Sequence, residues 1–111
     1  MDFSHLVHRA VQICGQYAAL ETAKYGRSWT DEELALGFVG DVGDLVKLVM
    51  ARSGVRDIPG TQEKLEHELA DCLWSVMVLA ERYEIDLEKA FLKTMDDLEA
   101  HIAAVTAARR E

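Results

Sequence analysis

Apolar residues recur at three- and four-residue spacings along most of the chain, and no run alternates apolar and polar positions as a half-buried strand would. Four helical segments follow from that pattern. The first runs from about Ser4 to Lys24, with Leu6, Ala10, Val11, Cys14, Tyr17 and Ala18 forming one stripe, and Gly26 ends it. The second begins at Thr30, where Thr30-Asp31-Glu32-Glu33 has the form of a capping box, and reaches about Arg52. Ser53 to Gly60 is a loop with its turn signal in Asp57-Ile58-Pro59-Gly60. The third segment follows Thr61, expected as its N-cap, and runs to about Tyr83. After a break at Glu84-Ile85, Asp86 caps the fourth.

The stripe of that fourth segment, Leu87, Phe91, Met95, Leu98, Ile102 and Val105, keeps a heptad-like spacing suited to packing along a partner helix. The tail from Ala107 to Glu111 is expected to fray. Short connections between long helices imply antiparallel neighbours. The expected fold is therefore all-α: an antiparallel bundle of about four helices, one domain over residues 1–111, assembled as an oligomer.

Composition narrows the function classes. A net charge of −8 argues against binding a nucleic-acid polymer, which needs clustered Lys and Arg. It allows a small phosphorylated ligand where a metal supplies the positive charge. The stretch Cys72 to Ala80 is the longest uncharged helical run, far short of the ~20 residues that span a bilayer. The N-terminal Met-Asp-Phe-Ser-His has no basic or apolar leader character, so no membrane partner and a cytoplasmic location are expected. Cys14 and Cys72 form no CxxC pair and read as reduced, small apolar residues.

The candidate chemistry lies in two acidic pairs. Leu34 to Ala51 is apolar nearly all round, which predicts a central, largely buried helix, and its only charges are Asp41, Asp44 and Lys47. Asp41 and Asp44 are one turn apart. The third segment repeats the device with Glu68 and Asp71, the latter being the one charge between Leu69 and Ala80. Like charges one turn apart cost roughly 0.2–0.5 kcal/mol per pair on a solvated helix. Four carboxylates in a partly dry cleft cost several kcal/mol per uncompensated ion, a penalty that a divalent cation removes. Oxygen-only ligands without an EF-hand loop favour Mg²⁺, with Mn²⁺ as the other candidate.

Gly37, Gly40 and Gly43 recur every third residue in the second segment. This spacing is expected to mark the close approach of another helix, or room for a ligand beside Asp41. Lys47, Lys64, Arg82, Lys89 and Lys93 are candidates to hold phosphate, against the plainer role of surface or intrahelical partners such as Lys64 with Glu68. Trp29 and Trp74 could stack on a base or fill the core. His5, His8, His67 and His101 make no HExxH or ExxH motif, and neither a GxxxxGK[ST] loop nor a GxSxG elbow occurs.

The run Phe38-Val39-Gly40-Asp41-Val42-Gly43-Asp44-Leu45, followed by Glu68-Leu69-Ala70-Asp71-Cys72-Leu73-Trp74, resembles the all-α nucleotide pyrophosphohydrolases of the MazG type, whose pattern is EExxE, a spacer and ExxD. Leu79 to Ala90 is similar to the segment that follows ExxD there. The dCTP-pyrophosphatase-like branch, with GExGEL, is nearest. On that resemblance Gly40 stands at the first glutamate position, Asp41 and Asp44 at the second and third, and Glu68 and Asp71 form ExxD.

The resemblance implies that these four acids hold Mg²⁺ and act in catalysis, and that a nucleoside triphosphate is cut to monophosphate and pyrophosphate; among the candidates above, Lys93, Lys47 and Trp74 are the expected substrate-binding residues. It also implies a homodimer or homotetramer with the site near the subunit interface. Asp replaces Glu at 41 and 44, and the fourth segment carries Thr94, Leu98 and Glu99 where the family tends to place Lys, Asn and Arg. The competing reading is a non-catalytic helical binding or assembly module that keeps the metal site as a clamp.

Overall fold

The computed structural model describes residues 2–110. Four helices occur in order: α1 (Phe3–Tyr25), α2 (Asp31–Arg52), α3 (Thr61–Arg82) and α4 (Leu87–Arg109). Among the described residues there is no strand, and the protein is an all-α bundle.

The helix ends follow from local chemistry. Asp2 caps α1, its Oδ1 accepting from the His5 amide at 3.2 Å. Gly26 ends α1 in the left-handed conformation, φ 80°, where its N–H donates to the Thr22 carbonyl. The capping box of α2 is present: Thr30 Oγ1 accepts from the Glu33 amide at 3.2 Å, and Glu33 Oε1 accepts from the Thr30 amide at 3.0 Å. Asp86 caps α4 through the Lys89 amide at 3.1 Å.

Two expected ends differ. The N-cap of α3 is Gly60, φ 67°, rather than Thr61. Thr61 is already helical, and its hydroxyl turns back to donate to the Ile58 carbonyl, tying the loop instead of the helix. The expected fraying from Ala107 does not occur: α4 continues to Arg109, since no Gly or Pro interrupts it and Arg109 lies in the last turn, where a cation suits the helix dipole. Glu111, at the end of that tail, lies outside the described residues.

Packing centres on α3, which lies against α2 along its length and against α1 more briefly. Ser75, Met77, Val78 and Ala80 of α3 are buried, with Leu48 of α2 and Ala10 of α1. Asp31, at the start of α2, pairs with Arg82, at the end of α3, at 3.0 Å, so the two helices run antiparallel. The expectation that α2 is the central buried helix is therefore corrected. Only Leu48 of α2 is buried, while Leu36, Val39, Val46 and Val49 are exposed, because no element of the chain covers the far side.

The fourth helix stands apart. None of its residues is buried, and its stripe from Phe91 to Val105 faces solvent. The result is an extended particle, 64 × 40 × 29 Å, with a radius of gyration of 18.2 Å. A compact chain of this length has a radius near ~13 Å. Among the described residues no helix is long and apolar enough to cross a membrane.

Candidate metal centre and adjoining cleft

The antiparallel register of α2 and α3 brings the two acidic pairs face to face. Asp41, Asp44 and Glu68 each place a carboxylate oxygen within 4.8 Å of the others. Glu68 also belongs to a second group of the same tightness, with Asp71 and His67. The four acids singled out in the sequence thus meet as two groups sharing Glu68. Asp44 is exposed; Asp41, Glu68 and Asp71 are half-buried.

The environment opposes ionisation. Burial pushes the Asp41 carboxyl above its ordinary range, and the charges of Asp71 and Asp44 push it the same way. Burial also raises Glu68, reinforced by Asp71, Asp41 and Asp44. The Cys72 thiol is raised by burial and by Asp41, Glu68 and Asp71, which disfavours its thiolate form. The expected Lys64–Glu68 pair does not form, and Glu68 Oε2 is buried without a hydrogen-bond partner. A buried carboxylate oxygen left unpaired costs free energy that a hydrogen bond or a cation would recover. That orphaned oxygen, among oxygen donors from two helices, fits a divalent cation.

One participant was not found in the sequence. His67 Nε2 lies 3.0 Å from Asp71 Oδ2. His67 belongs to no HExxH or ExxH motif; its signal in the sequence is the i,i+4 spacing to Asp71 across Glu68, which sets all three on one face of α3.

A cleft of about 560 Å³ adjoins the acids, between α1, α2 and α3. Asp41 and Asp71 line it, as do the rings of Tyr17, Trp29 and Trp74, and it extends past Glu21 to Arg82. Trp74 is both packed and on the cleft wall. Its indole N–H donates to the Ala10 carbonyl at 3.1 Å, and its ring meets Tyr17 edge-on at 6.2 Å, yet it still faces the cleft. The Trp29 amide donates to Glu21 at 2.9 Å, which ties the α1–α2 connection to α1 beside the cleft. Arg82, the one cation on the lining, is tied to Asp31.

Among the described residues the glycine spacing does not mark the approach of another helix of the same chain. A Cβ at Gly37 would touch the Trp29 ring at 3.5 Å, and at Gly40 and Gly43 it would meet nothing within 4 Å. No helix of the chain closes on these positions. Of the basic candidates Arg82 alone lines the cleft; Lys47, Lys64, Lys89 and Lys93 do not. Lys47 is exposed on α2 and absent from the lining. Lys93 sits on the detached α4, where it pairs with Asp97 at 3.0 Å in a separate groove with Asp86, Glu88 and Lys89.

Fold and site together define a class: an all-α protein that presents carboxylates from two antiparallel helices at the edge of an aromatic-walled cleft. Residues 30–101 match the family model of the MazG nucleotide pyrophosphohydrolase domain, and the chain belongs to that family. The match takes in α2, α3 and most of α4, while α1, outside it, supplies one wall of the cleft. No curated protein and no solved structure matches the chain.

Proposed function

We propose that the chain is a Mg²⁺-dependent nucleoside triphosphate pyrophosphohydrolase, releasing nucleoside monophosphate and pyrophosphate. The observation that carries this reading is the unpaired, buried Glu68 Oε2 among facing acids at the edge of a cleft of nucleoside size. Asp41, Asp44, Glu68 and Asp71 are the residues that would hold Mg²⁺, or Mn²⁺ in its place. A divalent ion held there would supply positive charge to the phosphates and would make a water more acidic.

The chain's own residues do the rest. Tyr17, Trp29 and Trp74 give flat apolar walls to a base or sugar, which points the phosphates toward Asp41 and Asp71. A carboxylate oxygen left free in the group accepts the proton of the attacking water. Lys47 and Lys93 lie off the cleft of their own chain, so any part they take in binding phosphate needs a second chain.

The working form in this reading is a homodimer or homotetramer of single-domain chains, with a cytoplasmic nucleotide as substrate. The accessible surface is 8558 Å². A folded monomer of 12.4 kDa exposes about 6,100 Å². The excess matches what an obligate interface covers, and the bare faces of α2 and α4 are where it lies.

A panel of ribo- and deoxyribonucleoside triphosphates, assayed for pyrophosphate with Mg²⁺ or Mn²⁺, tests the reading. Pyrophosphate and monophosphate in equal amounts are expected. The second reading, a non-catalytic module with a metal clamp, is favoured by one observation, that the only cation lining the cleft is already paired. Metal binding with no turnover of any triphosphate would establish it.

A further inference from the structure

The acids form two groups that share only Glu68, and one of them includes a nitrogen donor. We infer that His67 is a metal ligand, forming with Glu68 and Asp71 a second cation position beside the all-oxygen position of Asp41, Asp44 and Glu68, with Glu68 common to both. This rests on the proposed reading of the carboxylates as a metal centre.

Three observations carry it. His67, Glu68 and Asp71 each offer a ligand atom within 4.8 Å of the others, and Nε2 of His67 already points at Asp71 Oδ2, 3.0 Å away. Glu68 Oε2 is buried with no hydrogen-bond partner among the described residues, so the carboxylate shared by the two groups is unsatisfied without a ligand. Charge supplies the third argument. Four ionised carboxylates carry four negative charges, and one divalent ion cancels only two. A polyanionic triphosphate would still meet a negative surface, whereas two ions neutralise the group. An imidazole also changes which ions are accepted. Mg²⁺ prefers oxygen donors, while Mn²⁺ and later first-row ions take nitrogen readily. The His67 position should therefore bind Mn²⁺ well and Mg²⁺ poorly.

The test uses the full, tag-free chain and Mn²⁺ as probe, with His67→Ala as the variant. The His67 side chain is 71% exposed, so its removal leaves the packing alone. Equilibrium dialysis should count two Mn²⁺ per wild-type chain and one per variant chain. Pulsed electron paramagnetic resonance should detect ¹⁴N hyperfine coupling to Mn²⁺ in the wild type and lose it in the variant, and excess Mg²⁺ should displace one of the two ions far more easily than the other. One Mn²⁺ per wild-type chain overturns the inference, with or without nitrogen coupling. Two ions retained by His67→Ala overturn it as well and leave His67 as a hydrogen-bond partner of Asp71. A single ion accompanied by pyrophosphate release sinks this inference while sparing the enzymatic reading; two ions without release do the reverse.

Discussion

Glu33 and Glu68 are the same residue type on neighbouring helices, and the fold treats them in opposite ways. Glu33 sits at the α1–α2 corner, where Arg27 donates to it at 2.6 Å and both the amide and the hydroxyl of Thr30 donate as well. The Arg27 guanidinium and the Thr30 amide pull its carboxyl down to about 2. Glu68 has a buried oxygen with no partner and a carboxyl pushed up by burial and by three other acids. A carboxylate recruited to shape the chain is surrounded by donors. One held unpaired in a half-buried setting stores electrostatic cost, and such sites cluster where a ligand is bound.

The sharpest way to break that contrast is to neutralise each acid in turn. Glu68→Gln should lower the pyrophosphohydrolase rate about 100-fold or more, equivalent to about 2.7 kcal/mol of transition-state stabilisation. The melting temperature of the metal-free variant should hold or rise, because a repelled charge is removed at nearly constant shape. Mg²⁺ should then stabilise the variant much less than the wild type, whose native state gains RT ln(1 + [L]/Kd). A lower metal-free melting temperature with turnover intact would make Glu68 a structural acid like Glu33.

Next in size is assembly. Light scattering at micromolar concentration should give at least twice the 12.4 kDa chain mass. Val46→Lys, on the bare face of α2, should reduce the mass toward one chain. If the wild type is already a clean monomer, the exposed stripes of α2 and α4 need another explanation.

At the corner, Thr30→Ala should cost about 1 kcal/mol of stability, the usual loss for an N-cap hydroxyl, with catalysis preserved. Denaturant unfolding measures it. An effect on turnover larger than on stability would mean that the α1–α2 connection, through Trp29, controls the cleft directly.

What the sequence revealed divides along the same line. The capping box at Thr30, the stop at Gly26 and the cap at Asp86 are interactions between residues three or four apart, and each is where the pattern puts it. The facing of Asp41–Asp44 and Glu68–Asp71 was legible too, since two helices joined by the short loop 53–60 run antiparallel. Features that depend on what is absent were not legible. An apolar helix reads as buried, yet periodicity does not say whether its cover comes from the same chain, and the buried centre is α3 rather than α2. Glycines at every third position read as helix contact, but Gly40 and Gly43 face open space. Lys64 is one turn from Glu68 and was the natural partner, yet it leaves Glu68 unpaired. Lys93 lies one residue before Thr94, the position where the family tends to place Lys, and the detachment of α4 leaves it paired with Asp97.

The smallest effect is the most diagnostic, because the two acidic regions should bend the pH dependence of stability in opposite directions. Asp41 and Glu68 have raised carboxyls, so the native chain takes up their protons before the unfolded chain does. Where the native state binds more protons, stability rises as pH falls. Metal-free protein should therefore become slightly more stable as the pH drops from neutral toward about 4.5. Glu33 behaves inversely. Its contribution is complete above its unfolded value of 4.5 and is lost as the pH falls toward about 2, because the unfolded chain then binds the proton first. The melting temperature of the metal-free protein should thus pass through a maximum on the acid side of neutrality. Saturating Mg²⁺ should erase the rising limb, since ion binding keeps Asp41 and Glu68 ionised, and leave the fall below 4.5 in place. Glu68→Gln should flatten the rise without metal, and Glu33→Gln should weaken the fall. A metal-free curve that declines steadily from pH 7 would mean that Asp41 and Glu68 are solvated like ordinary surface acids, and the contrast with Glu33 would fail.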